Sequence, residues 1–389
     1  MDLHEFQAKA ILAERGIPVP PGAVAWTPDE AAATAARIGG DTFAVKAQIL
    51  AGGRGAAGGV RMAKSSAEVG EIAGAMLGTV LVTAQTSGGG RPVRRVYVEK
   101  GVTCRREIYV AVAIDRAAAA NVLLASAEGG ETIEENIARD PKALRRIAFT
   151  AEAPAAVALK AFAAELGLEG PAAANAAKVL ADLAQAFLDL DASLIEINPL
   201  CVAADGTLLA LDVKMSVENS ALFRQPAVAG LRDDEDEDPV ELEAQRYDLN
   251  FVRMDGDIGL VVNGAGLALA THDSLIDAGG RPANFMDIRT TATSLQIARG
   301  IGLLLGDPQV KAILINVHGG GMTRCDTIVE ALQIARSRSG RSVPVVLRAA
   351  GQNADYARQM MADRRIPHEL AATIGEAARR AVALAKGAR

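Results

Sequence analysis

Ser193-Leu194-Ile195-Glu196-Ile197-Asn198-Pro199-Leu200-Cys201-Val202 runs through Asp205-Gly206 and returns as Thr207-Leu208-Leu209-Ala210-Leu211-Asp212-Val213-Lys214. Two aliphatic runs around a turn dipeptide read as a β-hairpin. Its register follows from its faces. With Asp205-Gly206 alone as the loop, Asn198 pairs with Val213 and both faces mix polar with apolar residues. With Ala204-Asp205-Gly206 as the loop and Gly206 left-handed, Asn198 faces Asp212 and Glu196 faces Lys214. Ile195, Ile197, Leu211 and Val213 then share the other face. A one-residue slip exchanges the faces of a strand, so the second register is preferred. Pro199 predicts that one edge is unpaired there. Two oxygen donors, Asn198 and Asp212, facing across a hairpin suit Mg²⁺. The plainer alternative is that Asp212 and Lys214 make ordinary surface ion pairs with their neighbours.

Upstream, Phe43-Ala44-Val45-Lys46-Ala47-Gln48 reads as a strand. Side chains alternate, so Phe43, Val45 and Ala47 turn to a core, and Lys46 faces a cleft with Ala44 and Gln48. Ala51-Gly52-Gly53-Arg54-Gly55-Ala56-Ala57-Gly58-Gly59 follows, a glycine-rich loop that does not match the Walker A pattern. It is either a cover for phosphates or a plain surface turn. Glu99 and Glu107 close and open strands around Gly101–Arg106. Each is placed to accept from an adenine amine or ribose hydroxyl, or else is simply solvated.

The chain of 389 residues is long enough for two or three domains. A net charge of −6 without a long basic cluster excludes a phosphate-neutralising nucleic-acid surface. No run of about 18 apolar residues is present, so no membrane span is expected. The first residues lack a secretory pattern, and a cytoplasmic location is expected. Cys104, Cys201 and Cys325 are far apart in sequence and predict neither a disulfide framework nor a zinc site. The acidic run 233–238 reads as a solvated linker. It divides an N-terminal domain, 1–235, from a second domain, 236–389.

The second domain alternates β and α. Strands are predicted near 258–263, 283–288, 310–317, 343–349 and 366–371, with helices between them. Apolar runs without alternation fit strands covered on both faces. Five such units predict a flavodoxin-like, doubly wound α/β domain of order 2-1-3-4-5. Its ligand crevice lies between strands 1 and 3 at their carboxyl ends. Those ends carry Asn263-Gly264-Ala265-Gly266 and His318-Gly319-Gly320-Gly321.

With these residues in view, the chain resembles the β subunits of ADP-forming succinate–CoA ligase and its relative malate–CoA ligase nearly end to end. The motifs are Leu3-His4-Glu5-Phe6-Gln7-Ala8-Lys9, Val45–Gln48, Leu194–Leu200, Ala221-Leu222-Phe223-Arg224 and Val262–Ala268. The resemblance implies an ATP-grasp domain followed by a CoA-ligase domain. Lys46, Gly53, Arg54, Gly55, Glu99, Val102 and Glu107 would bind ATP, and Asn198 and Asp212 Mg²⁺. Pro20 stands where relatives preferring GTP tend to carry Gln. Asn263, Gly320, Gly321 and Met322 would line the acid site, and Glu196 would steady a phosphohistidine. That histidine belongs to an α subunit, which would also make most CoA contacts. None of His4, His272, His318 and His368 stands where the pattern would put it.

The chain departs from the pattern at several points. The family usually has His at Leu50 and Lys at Ala56. It reads Asp-Val-Gly-Gly-Gly-Ala where Asp287-Ile288-Arg289-Thr290-Thr291-Ala292 stands, and Phe-Gly-Gly-Ile where the longer His318–Thr323 stands. Arg289 and His318 point to a substituted dicarboxylate such as malate; the alternative is neutral drift around a succinate site. Two other readings are an impaired, regulatory paralogue and an acid ligase working without an α partner.

Overall fold

The hairpin has the three-residue loop. In the computed structural model, which describes residues 1–86, 89–130 and 133–387, Glu196 pairs with Lys214 and Ile197 with Val213. Asn198 N donates to Asp212 O at 3.0 Å, and Ala203 N to Thr207 O at 2.9 Å. Gly206 takes φ of 82°, a backbone state that costs a glycine little. Ile195 and Ile197 are fully buried, each contributing about 1.5–3 kcal/mol relative to exposure. That burial makes a register slip costly.

The chain forms two units, Met1–Asp236 and Glu237–Arg389. In the first, strand Ala192–Val202 is central to a seven-stranded sheet, with Val213–Val217 on one side and Arg106–Asp115 on the other. The ladder to Arg106–Asp115 shifts register between Ile197 and Leu200, around Pro199, which has no N–H to offer. Helices Glu5–Glu14 and Gly170–Asp189 bury Leu12, Leu180 and Leu183 in the core of this sheet. A smaller sheet runs Gly22–Ala25, Val96–Lys100, Phe43–Ala47, Val60–Ala63. Phe43, Val45 and Ala47 pack beneath it with Val69 and Met76.

Two expectations for this unit are corrected. Cys104 and Cys201 form a disulfide, with Cα atoms 5.4 Å apart. They stand 97 positions apart in sequence, and only strand pairing brings them together: Cys201 lies opposite Glu107, and Arg105 N donates to Val202 O at 2.9 Å. The acidic run is not simply solvated either. Asp236 is 4% exposed and accepts from Arg94 Nη1 at 2.7 Å. Asp233 pairs with Arg95 and lies 2.8 Å from the buried His4 Nε2. Burial pushes the Asp236 carboxyl up and the His4 imidazole down.

In the second unit, the five parallel strands are Ile258–Asn263, Asn284–Ile288, Ala312–Gly319, Val345–Gly351 and His368–Leu370. Their order is 2-1-3-4-5, as the β-α alternation predicts. A sixth strand, Asn250–Arg253, which the sequence reading omits, pairs antiparallel with Asn284–Ile288 at the edge. Helices cover both faces. One buries Ala377, Ala381 and Val382 against Leu260 and Leu314; those on the other bury Ile301 and Leu332 with Ile313 and Ile315.

Candidate active site

The first unit encloses a cavity of about 700 Å³. Lys46, Gly53, Arg54, Gly55, Glu99, Val102, Glu107, Glu196, Asn198 and Asp212 all line it, together with Glu5. Thus the glycine loop, the lysine strand and the hairpin converge on one space.

Lys46 is not a free cation in a cleft. It is 5% exposed, and its Nζ lies 2.9 Å from Glu5 Oε1 and against Glu99 and the Leu211 carbonyl. Glu99 is not a solvated strand end but stands at 3% exposure between Lys9 and Lys46. Lys9 also lies 3.0 Å from Glu5 Oε1 and donates to Leu211 O at 2.6 Å. Arg54 Nη2 lies 2.7 Å from both Glu5 Oε2 and Asp212 Oδ1, while Nη1 donates to Ala47 O at 2.9 Å. Burial opposes ionisation of Glu5, but Lys46, Lys9 and Arg54 hold its carboxyl well below its ordinary value. Burial would lower Lys46 and Arg54, yet the facing carboxylates raise both. Glu5, Lys46 and Arg54 are therefore charged at neutral pH.

Glu5 and Lys9 are the residues that the sequence reading did not assign. They stand four apart on the opening helix, on one face. Two opposite charges among buried positions of a short helix are a readable sign of a partnered interior site.

Asn198 is held by the backbone of Gly130. Its Oδ1 accepts from Gly130 N at 2.6 Å and its Nδ2 donates to Gly130 O at 3.2 Å. Asp212 pairs with Arg54 rather than with Lys214, whose Nζ donates to Gln85 Oε1 at 3.1 Å. Ala56 is exposed beside the glycine loop, and Leu50 is half-buried in the cavity wall.

The second unit brings the other predicted residues to the carboxyl ends of its first and third parallel strands. Asn263 braces the two ends: its Nδ2 donates to His318 O, and its Oδ1 accepts from His318 N, both at 2.9 Å. Gly264 N donates to Asp287 Oδ1 at 2.8 Å. Gly320 and Thr323 close a tight turn, with Gly320 N donating to Thr323 O at 2.9 Å. Gly321 sits within it at φ of 57°, and Met322 is 72% exposed. His318 is exposed. Arg289, also exposed, lies 3.9 Å from Asp248.

An interior cluster of ions beneath a glycine loop, followed by a doubly wound unit, fits a nucleotide-using ligase subunit, and the comparisons show that class. Family models agree: residues 2–202 match the ATP-grasp domain and residues 261–388 the CoA-ligase domain. The chain belongs to the family of β subunits of ADP-forming succinate–CoA ligases. It is 44% identical to "Succinate--CoA ligase [ADP-forming] subunit beta" of a Nitratiruptor species and 43% identical to the protein of that name from Anaeromyxobacter dehalogenans, each across 100% of both chains. Among solved structures it shares the fold of an ATP citrate lyase from Methanothrix soehngenii in complex with citrate and coenzyme A, with a TM-score of 0.74 at 18% identity over 99% of each chain.

Proposed function

We propose that this subunit grips ATP in the cavity of its first unit and offers part of a carboxylate site at the strand ends of its second. The reaction is that of an ADP-forming acid–CoA ligase: ATP, a carboxylic acid and CoA give ADP, phosphate and acyl-CoA. The observation that carries this reading is the convergence of Lys46, Arg54, the glycine loop, Asn198 and Asp212 on one cavity.

Buried cations with fixed partners suit phosphate groups, because they are desolvated and oriented before the ligand arrives. The donor set fits Mg²⁺. Asp212 offers a carboxylate that is 39% exposed, and Asn198 Oδ1 keeps a lone pair beyond its bond to Gly130. These two would hold the ion, which would neutralise phosphate charge when bound. Glu99, Val102 and Glu107 line the same cavity and would meet the base and ribose. Glu196, on the strand that carries Asn198, would orient an incoming phosphohistidine.

That histidine comes from an α subunit on this reading, since none of the four histidines here lines the cavity. The same partner would bind most of the CoA. The acid is succinate or a related dicarboxylate such as malate. Arg289 and His318, exposed at the strand ends, are the side chains placed to distinguish them. Among the described residues no helix is long and apolar enough to cross a membrane; a cytoplasmic location is proposed. The regulatory-paralogue reading is disfavoured, because the chain matches the catalytic family over its full length.

The test is ADP release by the chain co-purified with its α subunit, dependent on CoA and compared between succinate and malate. Preference for succinate assigns Arg289 and His318 to drift; preference for malate ties them to specificity. No release with any acid, alongside intact assembly, would overturn the catalytic reading.

A further inference from the structure

The cations beneath the glycine loop already have partners. Lys9, Lys46 and Arg54 meet Glu5, Glu99 and Asp212, three charges of each sign. A neutral cluster attracts phosphates weakly until one carboxylate is diverted. Asp212 is the one able to leave: its side chain is 39% exposed, against 1% for Glu5 and 3% for Glu99. Arg54 bridges the part-exposed carboxylate and the buried one. When Asp212 turns to a divalent cation, Glu5 and the Ala47 carbonyl keep the guanidinium in place.

We infer that Glu5 is a positioning residue that holds Arg54 and Lys46 toward the nucleotide, and that the Arg54–Asp212 pair is an exchange contact coupling nucleotide affinity to the divalent cation. Each ligand then favours the other by the same factor, because one pair must open for both. The inference rests on the nucleotide-site reading above and adds to it a residue and a coupling. Glu5 reaches the site from the opening helix, which the nucleotide need not touch.

ADP affinity, measured by calorimetry on the intact α/β complex in EDTA and in Mg²⁺, tests this. Wild-type protein should bind ADP more tightly with Mg²⁺. Asp212→Asn removes the competitor for Arg54, so ADP in EDTA should bind about tenfold more tightly than in wild type, and the gain from Mg²⁺ should vanish. Glu5→Gln keeps the side chain's shape but turns an amide N–H₂ toward a cation. ADP should bind about tenfold more weakly in both conditions, with KM for ATP rising more than kcat falls. Because Glu5→Gln leaves an unbalanced interior charge, Glu5→Gln/Lys9→Met supplies the control. Its charges balance again, so it should melt like wild type and still bind ADP weakly. Unchanged or weaker ADP binding by Asp212→Asn in EDTA, or wild-type ADP binding by the double variant, would overturn the inference while leaving the site reading intact. Wild-type protein that binds no ADP in either condition overturns both.

Discussion

On the proposed reading, the two units prepare for anions in different ways. In the first, charged side chains do the work: Glu5, Lys9, Lys46, Arg54 and Glu99 are nearly enclosed. In the second, backbone does it: Gly264, Gly320 and Gly321 stand exposed at strand ends, braced by the amide of Asn263. Buried ions act strongly because little water screens them, but each must be partnered or the fold suffers. Backbone donors at strand ends carry no such liability. The first unit thus links its stability to its site, whereas the second can vary its loops with little structural cost. The departures at Arg289 and His318 fall on the tolerant side.

This contrast is open to attack by substitution. Lys46→Met should have the largest effect, lowering ADP affinity by about a hundredfold and destabilising the first unit by about 3–5 kcal/mol, since Glu5 and Glu99 lose a buried partner. Calorimetry and urea unfolding measure the two, and wild-type stability with weak binding would break the proposed link. Cys201→Ser comes next. Loss of the Cys104–Cys201 bridge should cost about 2–4 kcal/mol by urea unfolding, matching reduced wild-type protein; identical curves for oxidised and reduced wild type would show that the bridge does not stabilise the unit.

Asn263→Ala tests the second unit. Removing both bonds to His318 should cost about 1–3 kcal/mol and raise KM for the acid, leaving ADP affinity unchanged. An altered ADP affinity would mean that the two regions are not separable. The smallest effect is expected from Arg289→Ala. Its exposed, 3.9 Å pair with Asp248 predicts a stability change within about 0.5 kcal/mol, so any clear change in preference between succinate and malate would report contact with the acid.

Much of this is legible in the sequence. Alternation of polar and apolar residues set the hairpin register, because the side-chain period of a strand leaves only two choices and one buries Ile195 and Ile197. Unbroken apolar runs between glycine loops marked a parallel sheet covered on both faces, and its 2-1-3-4-5 order is the common one for five such units. The edge strand Asn250–Arg253 was not legible. Four residues of mixed polarity carry no period, and the neighbouring strand Asn284–Ile288 supplies the pairing.

What the sequence determined alone is local and periodic: strand faces, turn conformation, helix–strand alternation, and which residue types gather in each loop. Tertiary structure decided which distant charges meet. Glu5, Lys46 and Glu99 lie on three separate elements and Asp212 on the bend before Val213–Val217, and the interior cluster exists only because two sheets and the opening helix bring them together. The same holds for Cys104 with Cys201 and for His4 with Asp233 and Asp236. Charge and thiol pairing act through distances of a few ångströms in space, and separation along the chain carries no information about those distances until the backbone is folded.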